Sequence, residues 1–181
     1  MKMRFLLAVG LLLLSSGIAS AQFFNKGAAH RGEPYLPFRI KGQDGKLVDN
    51  ESLKGKVVFL NFWFEGCPGC VKEMPHLNSI YNELKADTSF RMYGVTFDSE
   101  ESVATFLKTK KVDYPLAFTT SEGESRRLNL NNGYPTTIIL DREGKVVRGG
   151  ILIVSENIGD GLISSKQTMI AMIKKLLEAK P

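Results

Sequence analysis

"NFWFEGCPGCVKEMP", residues 61–75, holds both cysteines of the chain, Cys67 and Cys70, with two residues between them. A structural disulfide stabilises through the loop it closes, and the gain grows with loop length. A Cys67–Cys70 bond would close almost no loop. Two cysteines are too few for a four-cysteine zinc site. A Cys-x-x-Cys pair inside an α/β pattern reads instead as a redox motif. The flanks therefore decide the reading.

Upstream, "VVFLNFWF" (57–64) is a continuous apolar and β-branched run, the pattern of a central strand buried on both faces. Downstream, Met74, Leu77, Tyr81 and Leu84 recur at helical spacing. Pro68 suits the first helical turn, whereas Pro75 should kink the helix after it. Further out, "FRMYGVTF" (90–97) reads as a second buried strand. Asp98 or Ser99 then caps a helix with Val103, Phe106 and Leu107 inward. "PLAF" (115–118) is a short strand, and a short helix covers 122–128. Two hairpins frame this series. One turns at Gln43-Asp44-Gly45-Lys46, the other at Asp141-Arg142-Glu143-Gly144. The last helix carries Met169, Met172, Ile173, Leu176 and Leu177 on one face. Residues 155–165 receive no assignment. The order predicts an α/β fold: a mixed sheet with helices on both faces and an N-terminal β-hairpin. The cysteines fall at the carboxyl end of a central strand, where open α/β sheets place their chemistry.

The 181 residues, 43% of them hydrophobic, suit one domain with a substantial core. Residues 1–21 read as a signal peptide: "MKMR", then "FLLAVGLLLL", then "SSGIASA" ending in an A-x-A pattern before Gln22. The alternative is an N-terminal membrane anchor, for which the apolar run is short, since a span needs roughly 20 apolar residues. Removing Lys2 and Arg4 leaves 22 basic against 19 acidic side chains, a formal +3. That is too mild and scattered for a nucleic-acid partner. The expected location is exported, in the periplasmic or cell-envelope space, where disulfides persist. Residues 22–33 are expected to be a mobile leader and 34–181 the domain.

Cys67 falls at the helix N-cap and Cys70 in the first turn. Helix N-termini carry partial positive charge and unpaired N–H groups, which favour a thiolate, the attacking species in disulfide exchange. Cys67 is the expected nucleophile. Cys70 would then attack the mixed disulfide and release the partner.

With these residues in view, the chain resembles the thioredoxin superfamily, in particular its exported TlpA/ResA-like thiol–disulfide oxidoreductases. The resemblance rests on Phe62-Trp63, Glu65, the Cys67-Pro68-Gly69-Cys70 pair, Pro75 and "GYPTTIILDREGK". It implies a thioredoxin-like fold, a redox-active Cys67–Cys70 disulfide with no further cofactor, and no metal. It also implies that Pro135 is cis and faces the cysteines; without it, Pro135 reads as a trans proline opening an edge strand. Trp63, Tyr134 and Pro135 are assigned to substrate binding, the Tyr134 backbone pairing with an extended client chain. The implied partners are proteins with disulfides or thiols and an upstream membrane or exported thiol reductant. The implied role is that of a reductant or a dedicated thiol-transfer partner, with cytochrome c maturation as one setting.

Three positions depart from thioredoxin: Asn61 replaces a buried Asp, Gly66 replaces a Trp, and the dipeptide is Pro68-Gly69. Asn61 cannot accept a proton. Glu73, three residues after Cys70 and on its helical face, is the candidate for that task. Burial would raise its pKa towards neutrality. The competing reading is an exposed first-turn carboxylate that only complements the helix dipole. Two other functions are weighed. A peroxiredoxin-like peroxidase would need Thr or Ser shortly before the reactive cysteine, where Glu65-Gly66 stands. A Cu(I)-binding metallochaperone would need a wider cysteine spacing and a distant His. The histidines outside the signal peptide are His30 and His76, the latter expected at the surface.

Overall fold

The structure is a computed structural model that describes residues 30–156 and 163–179. The assigned signal peptide and most of the assigned leader lie outside the described residues. Four helices and nine strands follow one another as β1 (Arg39–Gly42), β2 (Leu47–Asp49), β3 (Val57–Phe62), α1 (Pro68–Leu84), β4 (Phe90–Thr96), α2 (Glu100–Phe106), β5 (Leu116–Phe118), α3 (Glu122–Leu128), β6 (Thr136–Leu140), β7 (Val146–Ile151), β8 (Ile153–Ser155), β9 (Ile163–Ser165) and α4 (Lys166–Glu178). Seven strands form one sheet in the order β2-β1-β5-β4-β3-β6-β7. β3, β4 and β5 are parallel, and the outer pairings are antiparallel.

All six residues of β3 are buried, because it lies between β4 and β6 with packing on both faces. One face carries Val57, Phe59 and Trp63 against Met74, Leu77, Ile80 and Leu84 of α1, Val103 of α2, and Met169 and Ile173 of α4. The other carries Val58, Leu60 and Phe62 against Tyr35, Phe38 and Leu128. The alternation of a strand thus feeds two cores. Each fully buried Leu or Phe contributes about 1.5–3 kcal/mol.

Both predicted hairpins form. Gly45 and Gly144, at φ 79° and 77°, take the left-handed positions that their turns need. Ser99, not Asp98, caps α2 by accepting from Ser102 N–H at 3.1 Å. α1 continues as a single helix through Pro75. The ends of two strands differ from expectation by two residues and one: β3 stops at Phe62 and β4 at Thr96. The unassigned segment 155–165 includes the end of β8 and all of β9, which pair in parallel as a second, two-stranded sheet.

The structured chain begins before Pro34. Gly32 N–H donates to Val146 O at 2.8 Å, Val146 N–H donates back to Glu33 O at 2.9 Å, and Arg31 Nε donates to Val147 O at 3.0 Å. The expected leader boundary at 33 is therefore too late: its last residues are paired to β7.

Candidate active site

Cys67 and Cys70 are joined by a disulfide. β3 ends at Phe62, and the chain turns through 63–66 into α1. Cys67 is the N-cap in an extended conformation, and its Sγ accepts the Cys70 N–H at 3.2 Å. Pro68 occupies the first turn, where its missing N–H has no cost. A sulfur held by a helix N-terminal N–H is stabilised most when it is charged. Cys67 is 5% exposed and Cys70 1%, so an incoming sulfur meets Cys67 first.

The Tyr134–Pro135 bond is cis. A Cβ on Gly69 would lie 3.4 Å from Pro135 Cδ, so the proline ring packs on the turn between the cysteines. Tyr134 is half-buried and donates its hydroxyl to Ser125 Oγ at 2.9 Å.

Glu73 lies in α1 three residues after Cys70 and is 0% exposed. Asn61 Nδ2 donates to its Oε1 at 2.8 Å, and Val154 N–H donates to Oε2 at 3.0 Å. Burial pushes its pKa up to about 7; the two hydrogen bonds oppose the shift without overcoming it. Among the described residues no cation compensates the charge. The carboxyl therefore changes state near neutrality, where a proton acceptor is most effective. Asn61 is the single polar residue in the buried run of β3, and this hydrogen bond accounts for its presence.

Trp63 is placed differently from the expectation. It is 0% exposed, with its ring tilted on Phe106 at 5.4 Å between centroids. Its side chain therefore packs into the core on the α1 side of the sheet and presents no surface to solvent. His76 is partly exposed and lies 3.3 Å from Glu156 through Nδ1. No group of three His, Cys, Asp or Glu side chains suited to a metal ion occurs among the described residues.

Other participants were not singled out from sequence. Val154, in β8, supplies one of the two donors to Glu73 from 81 residues away, and no local pattern marks it. Asp98 was weighed only as a cap. It accepts the Glu65 N–H at 2.7 Å and so fixes the approach loop to the end of β4.

A family model described as AhpC/TSA family matches residues 32–148. The chain belongs to the AhpC/TSA family. Two relatives sharpen this membership. Thiol-disulfide oxidoreductase ResA of Halalkalibacterium halodurans is 30% identical over 149 residues, covering 79% of this chain and 81% of that protein. ResA of Bacillus subtilis is 30% identical over 152 residues, covering 81% and 84%. Among solved structures, the thioredoxin domain of a thiol-disulfide oxidoreductase from Bacteroides vulgatus superposes with a TM-score of 0.63 at 28% identity, covering 79% of this chain and 97% of that one. The fold is thioredoxin-like, as the resemblance implied. Within its family the protein is a thiol–disulfide oxidoreductase, and its redox group is the Cys67–Cys70 pair.

Proposed function

We propose that the protein is an exported reductant of disulfides in client proteins, with Cys67 as nucleophile and Glu73 as the proton acceptor for Cys70. The observation that carries this reading is the buried Glu73 carboxyl, poised near pH 7 in the helix whose N-terminus carries the disulfide. In the reduced protein, the Cys67 thiolate attacks a client disulfide. A bond forms between Cys67 Sγ and one client sulfur, and the other client sulfur leaves as a thiolate. Cys70 then gives its proton to Glu73 and attacks Cys67 Sγ. The mixed disulfide breaks, the second client thiolate departs, and Cys67–Cys70 re-forms. Two electrons have passed to the client, and an upstream thiol reductant restores the pair.

The signal-peptide pattern of residues 1–21 supports export, with a retained N-terminal anchor as the other arrangement. N-terminal sequencing of the mature chain separates them; cleavage before Gln22 is expected. Cytochrome c maturation is one process that consumes such a reductant, because haem attachment uses the two thiols of a Cys-x-x-Cys-His segment. A Cys-x-x-Cys-His peptide in its disulfide form should be reduced.

The direct test is insulin reduction followed by turbidity, beside peroxide consumption and a redox titration in glutathione buffers. Insulin precipitation with negligible peroxide turnover is expected. Rapid peroxide consumption without insulin reduction would overturn the reading in favour of a peroxidase. The titration reports direction: a potential below that of glutathione marks a reductant.

A further inference from the structure

Phe64, Phe97 and Tyr134 come from three separate segments: the loop leaving β3, the loop leaving β4 and the loop entering β6. Their rings meet in a triangle. Phe64 stacks on Phe97 at 5.5 Å, Phe64 meets Tyr134 edge-on at 5.2 Å, and Phe97 meets Tyr134 at 5.9 Å. All three are half-buried, so each keeps some surface in solvent.

The triangle borders the disulfide. Phe64 O accepts the Cys67 N–H at 3.1 Å. Tyr134 precedes the proline that packs on Gly69. A Cβ on Gly66 would lie 3.1 Å from Phe64 Cε2, so the Phe64 ring folds over Gly66 and fills the place a side chain there would take. The arrangement is also held rigid. Asp98 ties the loop after Phe64 to the residue after Phe97, and Ser125 fixes the Tyr134 hydroxyl.

The charged groups that reach Tyr134 are already engaged. The Asp98 carboxylate accepts from Glu65 N–H and the Thr96 hydroxyl. Arg126 is held by Glu122 through two hydrogen bonds, at 2.9 and 2.6 Å. The surface therefore offers a partner aromatic area and little unpaired charge.

We propose that this triangle is a client-recognition surface that receives an aromatic side chain lying within two residues of the client's reactive cysteine. The proposal rests on the reading of the site as a protein-disulfide exchange centre. Exchange brings a client sulfur to Cys67 Sγ, so the side chains flanking that sulfur must pass over the residues around Cys67. Rings already fixed lose little freedom on binding. An aromatic pair is worth about 0.5–1.5 kcal/mol beyond its buried area, which is up to about tenfold in rate.

The test uses homodimeric peptide disulfides that differ only beside the cysteine, with Phe, Leu or Gly there. Each is mixed with the reduced full-length protein, and peptide thiol is measured over time. The Phe peptide should react about tenfold faster than the Gly peptide. In Phe97→Leu, which keeps the apolar volume, the Phe-to-Gly ratio should fall towards one. Equal rates for the three peptides with wild type would overturn the proposal. So would a preference that persists undiminished in Phe97→Leu. Failure of wild type to reduce any peptide disulfide would instead overturn the exchange reading itself.

Discussion

Two buried tyrosines mark the two faces of the sheet. Tyr35, on the face towards α3, donates its hydroxyl to Leu128 O at 2.6 Å. Tyr114, on the face towards α1, is 2% exposed and its hydroxyl has no partner among the described residues. Adjacent threonines repeat the contrast. Thr136 faces the Tyr35 side and donates to Gly133 O at 2.7 Å, whereas Thr137 faces the α1 side and its hydroxyl is unpartnered. Trp63 Nε1, also on the α1 face, has no acceptor among the described residues. The Tyr35 face has an unmatched atom too, the Asn129 side-chain oxygen at the end of α3, but there it is an acceptor.

Sheet register shows why these atoms belong together. Thr137 is paired with Asn61, and Asn61 with Gly94. A Cβ on Gly94 would lie 2.8 Å from the Tyr114 ring and 3.1 Å from Trp63 Nε1. Asn61 holds Glu73. A row of polar groups thus crosses the sheet around the Glu73 carboxyl, which changes charge near neutrality. An unmatched buried donor costs about 1–3 kcal/mol. The protein tolerates that cost on the face where a negative charge appears and not around Tyr35, where none does.

The comparison breaks first at the cysteines. Cys67→Ser should lower exchange by more than about a thousandfold, because the remaining thiol, Cys70, is 1% exposed and poorly placed to meet a client disulfide. Cys70→Ser should instead trap mixed disulfides, visible as a mass shift of the whole client. Trapping in Cys67→Ser and not in Cys70→Ser would reverse the assignment.

Glu73→Gln tests the charge on the α1 face. Loss of a positioned proton acceptor should slow mixed-disulfide release by about a hundredfold, read by single-turnover mass spectrometry. The substitution should also change how stability depends on pH. With a folded pKa of about 7 against 4.5 unfolded, native Glu73 holds a proton between those values that the unfolded chain has lost. Wild type should therefore lose about 3 kcal/mol as pH rises from about 4.5 through 7, and Glu73→Gln should lack that loss. Urea midpoints at pH 5 and pH 8 decide; equal slopes in both proteins would place Glu73 in contact with water.

The smallest effect sharpens the contrast most. Tyr35→Phe should cost about 1 kcal/mol, because Leu128 O loses its donor. Tyr114→Phe removes a hydroxyl without a partner and should be neutral or stabilise by up to about 1 kcal/mol. The same substitution then carries opposite signs on the two faces. Equal destabilisation by both would mean that the Tyr114 hydroxyl is satisfied in solution.

Most of the architecture was legible because its signals are local. The apolar run at 57–62, the Asp-Gly turn and the cap at Cys67 each follow from a few neighbouring residues. The burial of Trp63 was not legible because its position in the motif says that it is near the cysteines, not which side of the chain it occupies. Its side chain follows the alternation set by Phe59 and Asn61, which directs it inward. The grip of Val154 on Glu73 was illegible for another reason. It is a backbone group, identical in every residue but proline, brought across 81 positions by the pairing of β8 with β9. Side-chain chemistry can be read from sequence far more readily than the placement of a main-chain donor.

The pairing of Gly32 and Glu33 with Val146 also gives the molecule a direction. Val146 opposes Leu140, which opposes Val58, while the chain leaves β3 for the disulfide after Phe62. Those ends of β3 are four residues apart, about 13 Å along the strand. A chain entering at residue 31 therefore joins the domain at the pole opposite the reactive sulfur. Tethered at residue 31 to a bead or an electrode, the domain would present Cys67 outward, and clients could approach without meeting the support.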